Sequence, residues 1–566
     1  MELSLGFTYK EITPWGGMAV VKRMLDYIGW DGVLHAAQLP QPGSNRGYAP
    51  EQFNNQFMLS VWSGANRFEH LEVTRFDAAL GNIFAYKKMA NYKALTRLLD
   101  KFDQVTIETV FPGLYQHLFN QVGLQTLTLD LDSTVLTRYG FQQGALRGYN
   151  PTKRGRASHH PLMSFVADSR MIANVWLRPG NAHTANNAIA FLQSSIHNLG
   201  PDKRAGLVRA DSGFCESGFL EHLEDRDKKL NCVVAMKFAR PLQHRLVSAS
   251  WWPLQDTDES SKPTDEDAGS ELCEFEYQSD SWDKPRRVIG IRQHIKLRQQ
   301  AKGKNLSLFE DDTDLSQWRY GAIVTDLSLP AVEVWRLCRG RADCENRIKE
   351  LKYDFALGTL SRRNFWATEA ALHWVMLAFN LMSLFRTAMQ HQLNKGASAQ
   401  RLATLRQQLL AQAGFITKEG RQQTLKLATA KQRREWITGL WDAAKTFELP
   451  WPTKPIFSPA QIAGHFPISH ETIYLRIYAH KAQGGCLHKH LRSQKPSANG
   501  WQRGSNGNFN GLLRQYVPTK RAPNTVTQEE LTMIENRQNH RPRMRLGFKT
   551  SYEVFHASLK RVAVRT

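Results

Sequence analysis

Cysteine is scarce in these 566 residues. There are six (Cys215, Cys232, Cys273, Cys338, Cys344 and Cys486), and none forms a CxxC pair. That excludes a disulfide-stapled scaffold, argues against a zinc ribbon, and fits a reducing compartment. Long apolar runs are also missing. The most apolar stretch, Ala370 to Phe385, contains His373, Asn380 and Ser383. It is too short and too polar to span a bilayer and reads as a buried helix, so no membrane partner is expected. The opening MELSLGFTYKEITPWGG has no cationic region followed by an apolar one, so no secretory signal is expected. No internal repeat is visible. Acid is in deficit: 52 Asp and Glu face 74 Lys and Arg, a net charge of +22. Such an excess suits a polyanion, nucleic acid first, although an indifferent basic surface gives the same count.

What is present is globular. Hydrophobic residues make up 42% and charged residues 22%, which excludes wholesale disorder. The length suggests roughly three or four units. Residues 1–120 have apolar side chains at three- and four-residue spacings, so they are read as a helical region; Tyr92 to Phe102 is one short amphipathic helix within it. From Leu124 the period becomes two. In LQTLTLDLDSTVL, Leu127, Leu129 and Leu131 face one way, while Thr128, Asp130 and Asp132 face the other. Further strands are expected at PLMSFVADS and MIANVWLRPG, then a helix from about Asn186 to Leu199, then LVRADSG (207–213). This β-β-β-α-β order makes 121–229 the first part of an α/β core.

Residues 230–320 read as an inserted β-rich module, with strands at VVAMKF and RRVIGIRQHI around the acidic loop 256–271. The core resumes over 321–395 with the strand YGAIVTDL and helices from about Pro330 to Lys352 and Asn364 to His391. Residues 396–453 are expected to be helix, a turn at KEGR (418–421), and more helix; WPTKP (451–455) reads as a linker. The tail, 456–566, holds 17 Lys and Arg against 5 Asp and Glu, about half of the charge excess.

Three acids stand out by position. Asp132 ends one strand in D-S-T, Asp211 ends another in R-A-D-S-G, and Glu345 lies in the helix CRGRADCENRIKELK. In one continuous helix Cys338, Arg341, Glu345 and Lys352 fall within about 60° of each other. A carboxylate flanked by two cations suits a site that holds metal and grips phosphate. Carboxylates converging at strand ends can hold two Mg²⁺ ions, which prefer oxygen, for in-line displacement at phosphorus. Taken singly, each acid reads as well as a surface carboxylate or helix ion pair.

The spacing Cys338-x2-Arg341-x3-Glu345-x6-Lys352 resembles the Y-x2-R-x3-E-x6-K signature of insertion-sequence DDE transposases that contain an inserted β domain. D-S-T at 132–134 and R-A-D at 209–211 match the other two acidic motifs. LRPGNAHTANNA (177–188) and the RGR-x3-EN-x-IKELK run resemble the insertion-sequence thirteen-eighty family in particular, over roughly residues 1–450. The resemblance implies an RNase H-like catalytic core whose catalytic and metal-binding triad is Asp132, Asp211 and Glu345. Mg²⁺ would be the cofactor, with Mn²⁺ as a substitute. Arg341 and Lys352 would contact phosphates at the transposon ends, and the 1–120 region would bind those ends. Asp130 is the weaker metal candidate. The family tyrosine is Cys338 here, which supplies neither ring nor phenol.

Other features are placed beside this. The basic turn with Lys153, Arg154 and Arg156, just after the Asp132 strand, suits phosphate contact or a solvated loop. His159 and His160 read as structural, and His183 as a brace for the helix that follows. Among Trp251, Trp252, Trp282 and Trp318, one could stack on a flipped base, as in related transposases, though core packing explains each as well.

The tail segment FSPAQIAGHFPISHETIYLRIYAHK (457–481) reads as a helix-turn-helix with Arg476 on its second helix. That segment's neighbours, GWQRGSNGNFNGLLRQYVPTKRAPNTVTQEEL and NHRPRMRLGFKTSYEVF, resemble a second transposase family, insertion sequence thirty. The stretch that should contain that family's two aspartates is absent, and Gly507 stands at its glutamate position. The tail thus reads as a fused, internally deleted remnant without an active site of its own.

The expectation is a cytoplasmic, nucleoid-associated DNA transposase of cut-and-paste type. It would act on double-stranded DNA, both inverted repeats and target, as a homodimer on paired ends. The rival readings are a catalytically impaired protein that binds transposon ends and an RNase H-like nuclease without strand transfer.

Overall fold

The computed structural model describes residues 3–43, 47–225, 230–254, 269–294, 318–390, 393, 400–446, 542–543 and 549–550. The chain divides into two units, Met1–Trp451 and Pro452–Thr566. In the second, Pro542–Arg543 pairs antiparallel with Lys549–Thr550. The expected helix-turn-helix over 457–481, with Arg476, lies outside the described residues, as does Cys486.

The first unit opens with helices, as the spacing predicts. They run over Met18–Tyr27, Trp30–Ala36, Pro50–Trp62, Leu71–Arg75, Ala78–Ile83, Tyr92–Leu99 and Gln104–Asn120. Local chemistry sets several starts. Asp77, Asn91 and Asp103 each accept a backbone N–H three residues on, at 2.8 Å, satisfying a donor that the first helical turn leaves open.

A mixed sheet follows. Its strands are β1 (Thr126–Ser133), β2 (Leu162–Val166), β3 (Met171–Trp176), β4 (Arg204–Ala210), β5 (Asn231–Ala235), β6 (Trp252–Pro253), β7 (Ser270–Tyr277), β8 (Arg286–His294) and β9 (Trp318–Thr325). Their order is β6-β7-β8-β9-β5-β4-β1-β2-β3, nine strands in one sheet. β1, β4 and β5 are parallel, and the other pairings are antiparallel. Helix α1 (Ala188–His197) connects β3 to β4, the long crossover that a return to a parallel neighbour requires. The strands of the expected inserted module continue this same sheet, because Val233–Ala235 of β5 pair with Ile323–Thr325 of β9.

Two expectations change. Where one helix is predicted from Pro330 to Lys352, there are two: α2 (Ala331–Gly340) and α3 (Asp343–Asp354). The cause is a side chain. The Arg209 guanidinium donates to the Leu337 carbonyl at 2.6 Å, and the Arg341 N–H turns to Cys338 at 3.1 Å instead. A donor inserted into the helical ladder tightens and bends it there. Gly340 permits the approach, since a Cβ on it would lie 2.5 Å from Arg209 Nη1.

The second change is at 414–427, where helix is expected around the KEGR turn. Gly414–Glu419 and Gln422–Leu427 instead form a hairpin, with Gly420 at φ 60° in its two-residue loop. The sheet is completed by Ile12–Thr13 from the far end of the sequence, a partner no local pattern reveals.

The apolar stretch at 370–385 lies, as expected, in a buried helix, α4 (Phe365–Ala388), capped by Asn364. By length and composition α4 could cross a membrane, yet it is buried inside the fold. Two of its polar residues have partners there. Asn380 makes both amide bonds to the Ile172 backbone, at 2.7 and 2.8 Å, and His373 bonds the Tyr115 hydroxyl at 2.9 Å.

Glu369, also buried on α4, is pushed up to about 8, chiefly by burial, with a bond from the Leu177 N–H opposing and the Glu108 charge adding. The folded state therefore holds a proton that the unfolded chain releases above its ordinary value of 4.5. This contribution to stability is full below that value, is lost as the pH rises to about 8, and is flat beyond. In Glu369→Gln, the loss of urea resistance between acid and mildly alkaline solution should shrink, by on the order of a few kcal/mol.

Candidate active site

The site is set by one register. In the parallel pair β1–β4, Asp130 lies opposite Arg209 and Leu131 opposite Ala210. One step further along each strand come Asp132 and Asp211, so the two predicted acids stand at adjacent strand ends. Asp211 accepts the Gly213 N–H at 2.9 Å, capping the short turn Ser212–Phe214.

Asp130 and Arg209 form the anchor below them. Arg209 Nε and Nη2 reach the two Asp130 oxygens at 2.5 and 2.7 Å, with Asp130 fully buried. The Cys344 thiol donates to Asp130 Oδ2 at 3.3 Å, which ties the start of α3 to β1. Arg347 adds bonds to the carbonyls of Val166 and Ala167 at the end of β2, at 2.9 and 3.2 Å. Glu345, in the first turn of α3, is exposed beside this contact.

The charges of Asp211 and Glu345 both reach Asp132. Asp132 is pushed up to about 6. Burial is the main cause; the Arg341 guanidinium and the Ser133 N–H oppose it, and the charges of Asp211 and Glu345 add to it. Arg341 Nη1 stands 3.3 Å from Asp132 Oδ2, and the Asp132 and Asp211 charges both favour its protonated form. Lys352 is held down by burial, while the Asp132 charge opposes that. Despite the helix break, then, Arg341 and Glu345 act on Asp132, and the Asp132 charge reaches Lys352. Among the described residues no group of three or more His, Cys, Asp or Glu is gathered closely enough to hold a metal. The cation against Asp132 is Arg341. The oxygen donors nevertheless suit a hard divalent ion: a desolvated carboxylate raised by two like charges gains from a cation shared among them.

Other predicted residues lie around this centre. Lys153, Arg154 and Arg156 are exposed on the loop after β1. His159 is structural: it accepts from Arg138 Nε at 3.0 Å, donates to the Gln143 carbonyl at 2.9 Å, and is held down to about 4 by burial. His160 donates through Nδ1 to the Ala182 carbonyl and accepts through Nε2 from Ser133, both at 3.1 Å, bracing the residue next to Asp132. His183 Nδ1 accepts the Ala185 N–H at 3.4 Å and lies 3.6 Å from Glu216. Trp282 is buried, Trp251 and Trp318 pack against Arg292, and Trp252 is the most open of the four. Sequence reasoning missed Arg209 and Cys344. The available signal was that Arg209 precedes Asp211 by two, as Asp130 precedes Asp132.

This chain matches a family model over residues 2–445. It belongs to the family described as Transposase DDE domain group 1, whose members use divalent metal ions. Shorter likenesses accompany this. The chain is 49% identical over 55 residues to the transposase for insertion sequence element IS4351 of Bacteroides fragilis, covering 10% of this chain and 17% of that protein. It is 50% identical over 54 residues to transposase InsI for insertion sequence element IS30A of Escherichia coli K12, covering 10% and 14%. The chain thus spans less than a fifth of these curated relatives. A solved relative in shape is the piggyBac transposase synaptic complex with hairpin DNA, at 10% identity and a TM-score of 0.36, covering 71% of this chain and 83% of that one.

Removing Arg209 leaves Asp130 buried and uncompensated. Arg209→Met should cost about 3–5 kcal/mol in urea denaturation, and pairing it with Asp130→Leu should recover a large part of that loss.

Proposed function

We propose that the chain is a cut-and-paste DNA transposase whose catalytic triad is Asp132, Asp211 and Glu345, binding Mg²⁺, with Mn²⁺ as a substitute. The observation that carries this is the shared strand end of Asp132 and Asp211, with the charge of Glu345 also acting on Asp132. The strand order β3-β2-β1-β4-β5, with β2 antiparallel, supports an RNase H-like core. The divalent ions, when bound, would activate water and neutralise charge on the leaving oxygen of the phosphodiester.

The chain's own groups do the remainder. The three carboxylates would hold the ions by oxygen. Arg341, now 3.3 Å from Asp132, would be in place to contact a DNA phosphate. Lys352 contributes a second cation, and the exposed Lys153, Arg154 and Arg156 grip the phosphate backbone beyond. Cys338 gives no ring to this grip. The helical region before β1 would recognise the inverted repeats, and a homodimer would hold paired ends and join them to target DNA.

The thirteen-eighty assignment rests on LRPGNAHTANNA (177–188) and the RGR-x3-EN-x-IKELK run (339–352). The tail is proposed to be a remnant of an insertion sequence thirty transposase. Three observations support that: the family match stops at 445, a separate unit begins at Pro452, and the likeness to such transposases extends over only 54–55 residues. Arg476 would serve DNA binding there.

The test is the full chain with Mg²⁺ and DNA bearing the element's ends. Cleavage with joining is expected, and Asp132→Asn, Asp211→Asn and Glu345→Gln should each lower cleavage at least about 100-fold. Cleavage without joining would indicate a nuclease, and retention without cleavage a binding protein. Undiminished cleavage by Asp132→Asn would remove the site assignment.

The acid limb of cleavage should follow Asp132, which must lose its proton to bind metal. Activity should fall as the pH drops through about 6. Because Arg341 opposes the rise, Arg341→Gln should move that limb to higher pH, read from the pH–rate profile whatever the maximal rate.

A further inference from the structure

The loop that leaves the Asp132 strand carries a surface the proposed triad does not use. Between Asp132 and Asp168 the sequence contains no Asp or Glu, and five Lys or Arg. The segment folds into a small antiparallel sheet of Leu136–Thr137, Leu146–Arg147 and Ala157–His159. It is firmly fixed. Arg138 donates to the Gly358 carbonyl at 2.7 Å as well as to His159. Gln143 accepts the Phe365 N–H at 3.0 Å, and its own N–H donates to the Arg363 carbonyl at 2.9 Å.

On this rigid base the aromatic rings point outward. Tyr139 is 73% exposed, Phe141 95% and Tyr149 74%. Leaving three rings in water forfeits their burial, roughly 1.5–3 kcal/mol for a side chain of phenylalanine size. The cations beside them are exposed too, and the Arg156 guanidinium lies over the Tyr139 ring at 5.8 Å.

Duplex DNA offers such rings little, because its bases are stacked inside and its phosphates need only the cations. Unpaired bases offer both a face for the rings and a backbone for Lys153, Arg154 and Arg156. We propose that this small sheet is a stacking platform for unpaired bases of the DNA strand next to the scissile phosphate. It rests on the reading that the chain acts on DNA. Tyr139, Phe141 and Tyr149 supply stacking and the neighbouring cations follow the phosphates.

Fluorescence anisotropy of the full chain tests this with three labelled DNAs: an oligothymidine of about 12 nucleotides, a blunt duplex, and the same duplex with unpaired thymidine ends. Replacing Tyr139, Phe141 and Tyr149 together with Ala should weaken binding of the oligothymidine and the frayed duplex by at least about tenfold, and of the blunt duplex by less than about twofold. Tyr139→Phe with Tyr149→Phe should bind like the wild type, since stacking needs the ring and not the hydroxyl. An unchanged affinity in the alanine variant overturns the proposal. So does equal loss on blunt and frayed duplex, or a loss only of self-association, which would make the rings a contact between copies of the chain. If the wild type cleaves DNA but ignores oligothymidine, only this proposal fails. If it neither cleaves nor binds any of these DNAs, the transposase reading fails with it.

Discussion

The buried pair of Asp130 and Arg209 is the constraint on which the centre of this molecule depends. Two charges out of water cost several kcal/mol each unless every lone pair and proton is matched. Here the match is close: two guanidinium–carboxylate bonds, a third bond to the Leu337 carbonyl, and the Cys344 thiol on the remaining side. Each partner lies on a different element, so satisfying the pair fixes β1 against β4 and the α2–α3 corner above both. A one-residue slip of either strand would turn these charges to the other face of the sheet. The same register brings Asp132 beside Asp211, and the same corner brings Arg341 and Glu345 within reach of them. The stable part of the centre thus lies one step below the part to which we assign chemistry.

Arginine does two kinds of work in this chain, and the net charge of +22 merges them. Arg209, Arg286, Arg347 and Arg386 are buried and clamp carboxylates or carbonyls; Arg386 with Glu350 at 2.7 Å and Arg286 with Glu224 at 2.6 Å are further examples. Their charge is spent inside the fold. Lys153, Arg154 and Arg156 after β1 are of the second kind, exposed and with no acid near them in sequence. A polyanion would meet that second group alone, so the location of the charge excess says more than its size.

Local pattern was informative where an element's own faces differ. The alternation around Leu127–Asp132 identified β1 and its two acids, and the helical spacing up to residue 120 agreed with the helices observed. It failed where a distant group decides the backbone. The Ile12–Thr13 strand stabilises a hairpin that reads as helix, and Arg209 breaks a helix that reads as continuous from Pro330. In both cases the deciding contact joins residues far apart in sequence, which no window of periodicity can report.

The order of residues alone fixes which chemistry is available: oxygen donors in D-S-T, R-A-D and the Glu345 helix, and cations at fixed offsets from that glutamate. It could do so because residue type and local period are properties of short segments. Which of two neighbouring aspartates is neutralised depends instead on contacts made by folding. Both Asp130 and Asp132 lie on the same face of one strand, and nothing local separates them. The parallel neighbour puts a guanidinium opposite one and a carboxylate opposite the other, so Asp130 becomes a structural anion and Asp132 a desolvated acid repelled by its neighbours.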